Sequence, residues 1–144
     1  MALTIRAVMT RDVDVVGPHD SLRDAAEKMR GLNVGALPVC EGRRVVGMLT
    51  DRDIVVRAIA LGMDSASTPV EEAMTGNVQS CAEEDDATRV LTRMRDLQVR
   101  RFIVLDEDEH LRGIVSLGDL AEAIGEQRVG EALEGISAPA APFI

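Results

Sequence analysis

A chain that repeats itself is constrained before any residue is read for chemistry. Whatever unit the first copy folds into, the second must fold into as well, and neither short copy buries much alone. Shifted by 65 positions, Met9-Thr10 falls on Met74-Thr75, Val13 on Val78, Asp20 on Asp85, and Met29-Arg30 on Met94-Arg95. Leu32, Val34 and Val39 fall on Leu97, Val99 and Val104. One extra residue in the turn DEDEH moves the offset to 66, and then Gly47 meets Gly113, Thr50 meets Ser116 and Asp53 meets Asp119. Two units of about 55–60 residues are each marginal as isolated domains, so they are expected to pack against each other.

Both copies read as β-α-β-β-α. A short strand with branched residues comes first, over Val13–Val16 and Val78–Cys81. A helix follows in copy one, capped by Asp20 or Ser21, with Leu22, Ala25, Ala26, Met29 and Leu32 at helical spacing. Its counterpart is capped by Asp85 or Asp86 and carries Val90, Leu91, Met94 and Leu97. The second strand spans Ala36–Cys40 or Phe102–Leu105, and the third spans Val45–Leu49 or Leu111–Val115. A closing helix starts at Thr50-Asp51 and near Ser116, lined by Ile54, Val55, Ala58 and Ile59 or by Leu120, Ala121 and Ile124. Beyond Gly125, EQRVGEALEG is expected to form a short amphipathic helix and SAPAAPFI a flexible end.

Composition removes several function classes. The net charge is −9, with nine acidic and nine basic residues in 1–65 and the whole excess in 66–144. That balance repels a phosphate backbone, and the only aromatic side chains are Phe102 and Phe143, so stacking on bases is not available. No nucleic-acid partner is expected. No apolar run approaches the ~18 residues of a membrane span, and the N-terminus lacks a signal-peptide core, so the expected location is cytoplasmic. Two isolated cysteines, Cys40 and Cys81, form no disulfide framework. Cys40 is expected to pack as a small hydrophobe.

Standard catalytic motifs are absent: no P-loop, HExxH, GxSxG or dinucleotide fingerprint occurs, and no cluster has metal-ligand spacing. His19 and His110 fall in charged turns. What does repeat is a hydroxyl followed three residues later by a carboxylate: Thr50-Asp51-Arg52-Asp53 and Ser116-Leu117-Gly118-Asp119. Each follows a Gly-x-x apolar strand and opens a helix. A single instance is most simply an N-terminal capping box. Two in register, after the same glycine, point to a ligand. A helix N-terminus attracts phosphate, the hydroxyl can bond a phosphate oxygen, and the carboxylate can accept ribose hydroxyls.

At these residues the chain resembles a known family. VMT with V-x-V, VGALPVC and VVGMLTDRDI in copy one, and AMT, VRRFIVLD and LRGIVSLGDL in copy two, are similar to cystathionine-β-synthase (CBS) domains over about residues 6–126. The resemblance is to a small bacterial protein made of one CBS pair, of the hypoxic-response type. It implies an α+β fold in which two β-α-β-β-α repeats pack sheet to sheet with pseudo-twofold symmetry: repeat 1 over 6–62, a linker over 63–71, repeat 2 over 72–126, and an extension over 127–144. It further implies two equivalent pockets, in the cleft between the repeats, for adenine nucleotides or related adenosyl ligands.

Carried over position by position, the resemblance makes Asp53 and Asp119 the ribose binders and sets Thr50 and Ser116 on phosphate. Thr10 and Thr75 match the segment entering each pocket. Val15-Val16 and Ser80-Cys81 lie beside the base. Gly35-Ala36 and Arg100-Arg101 match the phosphate-facing start of the second strand, and Arg52 is a further phosphate candidate. Only copy two has the paired arginines, so phosphate affinity should be lopsided. Ile103 stands where copy one keeps the family's proline as Pro38.

The function implied is a regulatory ligand-binding protein that is not an enzyme and needs no cofactor. AMP, ADP, ATP or S-adenosylmethionine is the expected regulatory ligand, and the output an unidentified effector protein or the oligomer itself. The alternative is a structural or interaction module with empty pockets. A homodimer is expected, because Ile54, Val55, Ile59, Leu120 and Ile124 read as apolar helix faces left over at the edge of one pair.

Overall fold

The computed structural model describes residues 3–125 together with Glu134 and Ile136. Those last two are helical, and Ile136 packs on a core; the rest of the expected helix and tail lies outside the described residues. The elements in order are α1 (Ile5–Val8), α2 (Leu22–Leu32), β1 (Ala36–Glu41), β2 (Arg44–Thr50), α3 (Asp51–Arg57), β3 (Ser80–Ala82), α4 (Ala87–Leu97), β4 (Arg101–Leu105), β5 (Leu111–Ser116) and α5 (Leu117–Ile124), with 3₁₀ turns at Ile59–Leu61 and Val70–Glu72. The class is α+β.

The helices begin where their side chains can satisfy free amides. Ser21 accepts a hydrogen bond from the Asp24 N–H and caps α2, while Asp86 accepts from the Thr88 N–H and caps α4. Asn33 and Gln98, 65 residues apart, close the two helices in the left-handed conformation. Leu22, Ala25 and Met29 on α2, and Val90, Leu91 and Met94 on α4, are buried as their spacing requires. Ala26, Leu32 and Leu97 are exposed, because the stripe is narrower than the sequence pattern suggests.

The chain condenses into two compact units. Their membership is interleaved rather than sequential: one holds Val13–Val78 and Glu109–Leu111, the other the residues through Asp12, Gln79–Asp108, and those from Arg112 on. The copy-one unit contains the antiparallel β1–β2 hairpin, registered Ala36↔Thr50 to Glu41↔Arg44 with an irregularity between Val39 and Cys40. Its core gathers Leu22, Leu37, Val39, Leu49 and Ile54 with Val70 and Ala73 from the chain after α3. The copy-two unit contains the sheet β3-β4-β5, with β3 parallel to β4, and α4 crosses over between those two strands. Ile5 is fully buried there among Phe102, Met94, Val104 and Leu120.

The expected first strand at Val13–Val16 does not form. Val16 alone bridges Val39: its N–H bonds Pro38 O at 3.1 Å, and the Cys40 N–H bonds Val16 O at 2.8 Å. Gly17 and Pro18 then turn the chain, and Pro18 has no N–H to extend a ladder. In copy two the strand starts later than expected, at Ser80.

Candidate functional site

The repeated Gly-x-x-hydroxyl-x-x-carboxylate ends up as the same local construction in each unit. In copy one, the Asp53 N–H bonds Thr50 Oγ1 at 3.0 Å and the Thr50 N–H bonds Asp53 Oδ2 at 3.0 Å. In copy two, the Asp119 N–H bonds Ser116 Oγ at 3.2 Å and the Ser116 N–H bonds Asp119 Oδ2 at 2.9 Å. Both are complete capping boxes. Each carboxylate thus spends one oxygen on its own helix. Asp53 Oδ1 faces Arg57 Nε at 3.9 Å, whereas Asp119 Oδ1 has no partner among the described residues.

The glycine ahead of each box has a steric cause. A Cβ at Gly47 would lie 2.8 Å from Thr75 O and 2.7 Å from Met74 Sδ, and a Cβ at Gly113 would overlap Thr10 O outright. A chain segment crosses each strand at this point. The Thr75 N–H bonds Met48 O, and the Met48 N–H bonds Thr75 O, both at 2.9 Å. The Thr10 N–H bonds Ile114 O at 2.8 Å, and the Ile114 N–H bonds Thr10 O at 3.0 Å. The two bridges match residue for residue under the repeat.

They also cross the copies. Sequence register assigns Thr10 to copy one and Thr75 to copy two, but Thr10 lies on the copy-two strand β5 and Thr75 on the copy-one strand β2. The candidate residues therefore sort as Thr10, Ser80, Cys81, Arg100, Arg101, Ser116 and Asp119 in one unit, and Val15, Val16, Gly35, Ala36, Thr50, Arg52, Asp53 and Thr75 in the other. An ion cluster holds the first crossing segment down. Arg6, Arg11 and Arg112 lie 3.3, 3.6 and 3.6 Å from the buried carboxylate of Glu83.

On the entering strands the side chains divide. Val16 and Cys81 are buried in the cores, while Val15 and Ser80 are half-buried. Burial pushes the Cys81 thiol up to about 12, with Asp85 adding to the rise and Arg93 opposing it; burial raises Cys40 too. Neither thiol is a poised nucleophile. A pair of contacts that sequence reading missed pins the same strands. Lys28 Nζ donates to Val15 O at 2.7 Å, and Arg93, its repeat equivalent, donates to Ser80 O at 3.1 Å while stacking 4.6 Å over the Phe102 ring. The signal was present as a basic residue at the same position of both helices. A second unanticipated grouping is Asp106, Asp108 and His110, whose ligand-type atoms lie within 4.8 Å of one another. The Asp108 N–H bonds Asp106 Oδ1 at 2.8 Å, so the turn itself brings those two acids together.

At the strand starts, Gly35 O accepts from the Asp51 N–H and Arg100 O from the Leu117 N–H, both at 2.9 Å. Each opening turn is thereby fastened to the beginning of the copy's own hairpin. Arg52, Arg100 and Arg101 are exposed.

The family model for the CBS domain matches residues 5–59 and 70–126. The chain belongs to the CBS domain family. CBS domain-containing protein YhcV of Bacillus subtilis is 38% identical over 135 residues, covering 93% of this chain and 95% of its own. Hypoxic response protein 1 of Mycobacterium tuberculosis is 35% identical over 139 residues, 96% of each chain. A crystal structure of Hypoxic Response Protein I with two coordinated zinc ions aligns with a TM-score of 0.76 at 36% identity, over 85% of this chain and 99% of that one. CBSX2 in complex with AMP aligns at 0.74 with 25% identity, over 83% and 94%. No helix among the described residues is long and apolar enough to cross a membrane.

Proposed function

We propose that this CBS pair is a non-catalytic regulatory protein that binds adenine nucleotides or related adenosyl ligands, with Asp119 and Asp53 as ribose acceptors and Ser116 and Thr50 beside the phosphates. The observation that carries this reading is the repeated box set against a crossing threonine: each unit presents a hydroxyl, a partly buried carboxylate and an incoming backbone segment in one place. The AMP complex of CBSX2 supports the ligand class. Asp119 keeps one carboxylate oxygen without a partner among the described residues, an acceptor that a ribose hydroxyl can use. A thermal-shift panel of AMP, ADP, ATP, S-adenosylmethionine and NADH tests it. A ligand at 100 times its Kd adds about 2.7 kcal/mol, and no shift with any of the five would overturn the reading.

A second reading, a structural or interaction module, is favoured by one observation: both boxes are internally satisfied and hold their helices without a ligand. The same panel separates the two. Assembly as a homodimer is part of the proposal, on a corrected surface. Ile54 and Leu120 are buried, and Ile124 packs against the core, because the unit's own helices cover them. Val55 (54% exposed), Val56 (50%), Ile59 (61%) and Leu61 (70%) form the apolar face instead. A stable monomer near 15.5 kDa in light scattering would count against the dimer. A cytoplasmic location and a separate effector protein belong to the same proposal.

A further inference from the structure

The carboxylate of Glu83 is buried, and one of its oxygens is not hydrogen-bonded. Oε2 accepts from Arg6 Nη2 at 3.3 Å and faces Arg112 Nε at 3.6 Å. Oε1 has no hydrogen bond among the described residues. The cation in front of it is Arg11 Nη1, at 3.6 Å, just beyond hydrogen-bond reach. A buried acceptor without a donor is costly, so whatever keeps Arg11 at this oxygen is favoured.

Two of the three guanidinium groups stand on fixed backbone. Arg6 belongs to α1, where the Ile5 and Arg6 N–H groups bond Asp85 O and Glu83 O, both at 2.9 Å, and Arg112 belongs to β5. Arg11 has no such support. It follows Thr10 directly, and from Arg11 to Asp14 the backbone makes no hydrogen bond among the described residues. Beyond the Thr10–Ile114 bridge, the Arg11–Glu83 pair is therefore what ties the crossing segment down. That bridge lies two residues before Ser116, on the same strand.

The fold does not demand this cluster. Under the repeat, Arg6, Arg11, Glu83 and Arg112 fall on Glu71, Gly76, Pro18 and Val46. The backbone bonds are kept there, with the Glu71 N–H on Pro18 O at 3.0 Å and the Thr75–Met48 bridge intact. The ion cluster is not. The copy-one unit holds the same crossing without it.

We propose that Glu83 is a positioning residue for the Ser116–Asp119 box: through Arg11 it holds the Thr10 segment on β5 and makes ligand affinity at that box, alone of the two, sensitive to ionic strength. This rests on the adenosyl-binding reading above and deepens it. The Arg11 side chain is 49% exposed, so salt screens the pair. Adenosine is uncharged, so salt dependence in its binding reports the protein's own ion pairs and not phosphate recognition.

The test compares ¹⁵N-labelled wild type, Arg11→Ala, Arg112→Ala and Glu83→Gln. Amide hydrogen exchange is followed at Thr10 and Ile114, with Thr75 and Met48 as the internal control, and adenosine is titrated at the Ser116 and Thr50 amides. Each is measured at about 0.01 M and about 1 M KCl, between which the Debye length falls from about 30 to about 3 Å. In the wild type, salt is expected to speed exchange at Thr10 and Ile114 and to weaken adenosine at Ser116 about three- to fivefold, the worth of a strong half-exposed ion pair. Thr75, Met48 and Thr50 should not respond. Arg11→Ala should show the high-salt behaviour already at low salt, and Glu83→Gln should match it. Arg112→Ala removes a guanidinium at the same distance from Glu83 but not from the crossing segment, so exchange at Thr10 and adenosine affinity should stay at wild-type values. Arg11 and Arg112 are exposed, so these two variants are expected to fold whatever Glu83→Gln does. Equal losses in Arg11→Ala and Arg112→Ala, or wild-type exchange at Thr10 in Arg11→Ala, would overturn the positioning role while leaving adenosine binding intact. Adenosine failing to shift either amide in the wild type would overturn the underlying reading, and this inference with it.

Discussion

Replacing Gly113 by alanine adds one methyl group where the chain has no room, and replacing Gly118, five residues later, adds the same group where it has. Neither glycine adopts a positive φ, so backbone strain drops out and the contrast is steric. At Gly113 the new Cβ would overlap Thr10 O and come within 3.3 Å of Met9 Sδ. Overpacking a tight site costs about 1–3 kcal/mol. If the crossing segment gives way instead, the two bonds between Thr10 and Ile114 weaken, at about 1 kcal/mol each. The lost flexibility of the unfolded chain offsets only about 0.4–1 kcal/mol. The net for Gly113→Ala is therefore a loss of about 1–2 kcal/mol, or about 3–6 °C in Tm for a chain of this size. At Gly118 the nearest atom to a new Cβ is Ser116 Oγ at 3.6 Å, ordinary contact. Gly118→Ala is expected to be neutral or to stabilise by up to about 1 kcal/mol. Urea and thermal unfolding of the two variants beside the wild type give the answer. Equal stability of the two would refute the claim that the glycine before each box exists for the crossing segment.

Glu83→Ala removes the acceptor shared by Arg6, Arg11 and Arg112; since all three arginines are at least 41% exposed, the cost in urea unfolding is expected at about 2 kcal/mol rather than the larger penalty of a fully buried pair. The raised thiol of Cys81 means the folded state holds a proton that the unfolded chain gives up near pH 9, so its contribution to stability is present below pH 9 and is lost as pH rises toward 12. In the native protein at pH 8, a disulfide reagent should modify both cysteines far more slowly than in urea. Replacing Arg100 and Arg101 together by alanine should weaken AMP much more than adenosine in calorimetry and flatten the salt dependence of AMP binding; equal losses would place these arginines outside phosphate recognition. Asp119→Ala should weaken AMP more than Asp119→Asn, which keeps one acceptor; no change in either would leave this carboxylate a helix cap and nothing more.

Much of the local architecture was legible because it depends on residues near one another in the chain. Ser21 before Asp24, Thr50 before Asp53 and Ser116 before Asp119 are self-contained caps. The hairpin strands were legible from apolar runs broken by EGRR and DEDEH. The first strand of copy one was not, because Val13–Val16 is alternating and branched, yet its fate is set by the proline that follows. Least legible was the exchange of Thr10 and Thr75, since no pattern within a copy says which copy's strand a crossing segment will join. Gly47 and Gly113 carried half of that information: they announce a close approach but not its partner. Lys28 and Arg93 were visible as a repeated basic position, but a helix surface offers many, and only the carbonyls of Val15 and Ser80 distinguish these two.

The crossed segments also explain how a duplicated unit could keep one copy's chemistry while the other changed. Each unit borrows its incoming threonine from the other half of the sequence, so that contact is backbone-made and fixed by glycine at the point of approach. None of its hydrogen bonds uses a side chain. The side chains around the two boxes, by contrast, are contributed within a unit and differ: Asp51 lies beside Gly35 in one, and the strand fastened to the box begins with Arg100-Arg101 in the other. Substituting them alters electrostatics without disturbing the bridges that hold the fold. Two capping boxes of matching geometry, with Gly35-Ala36 ahead of one hairpin and Arg100-Arg101 ahead of the other, are what that division of labour leaves behind.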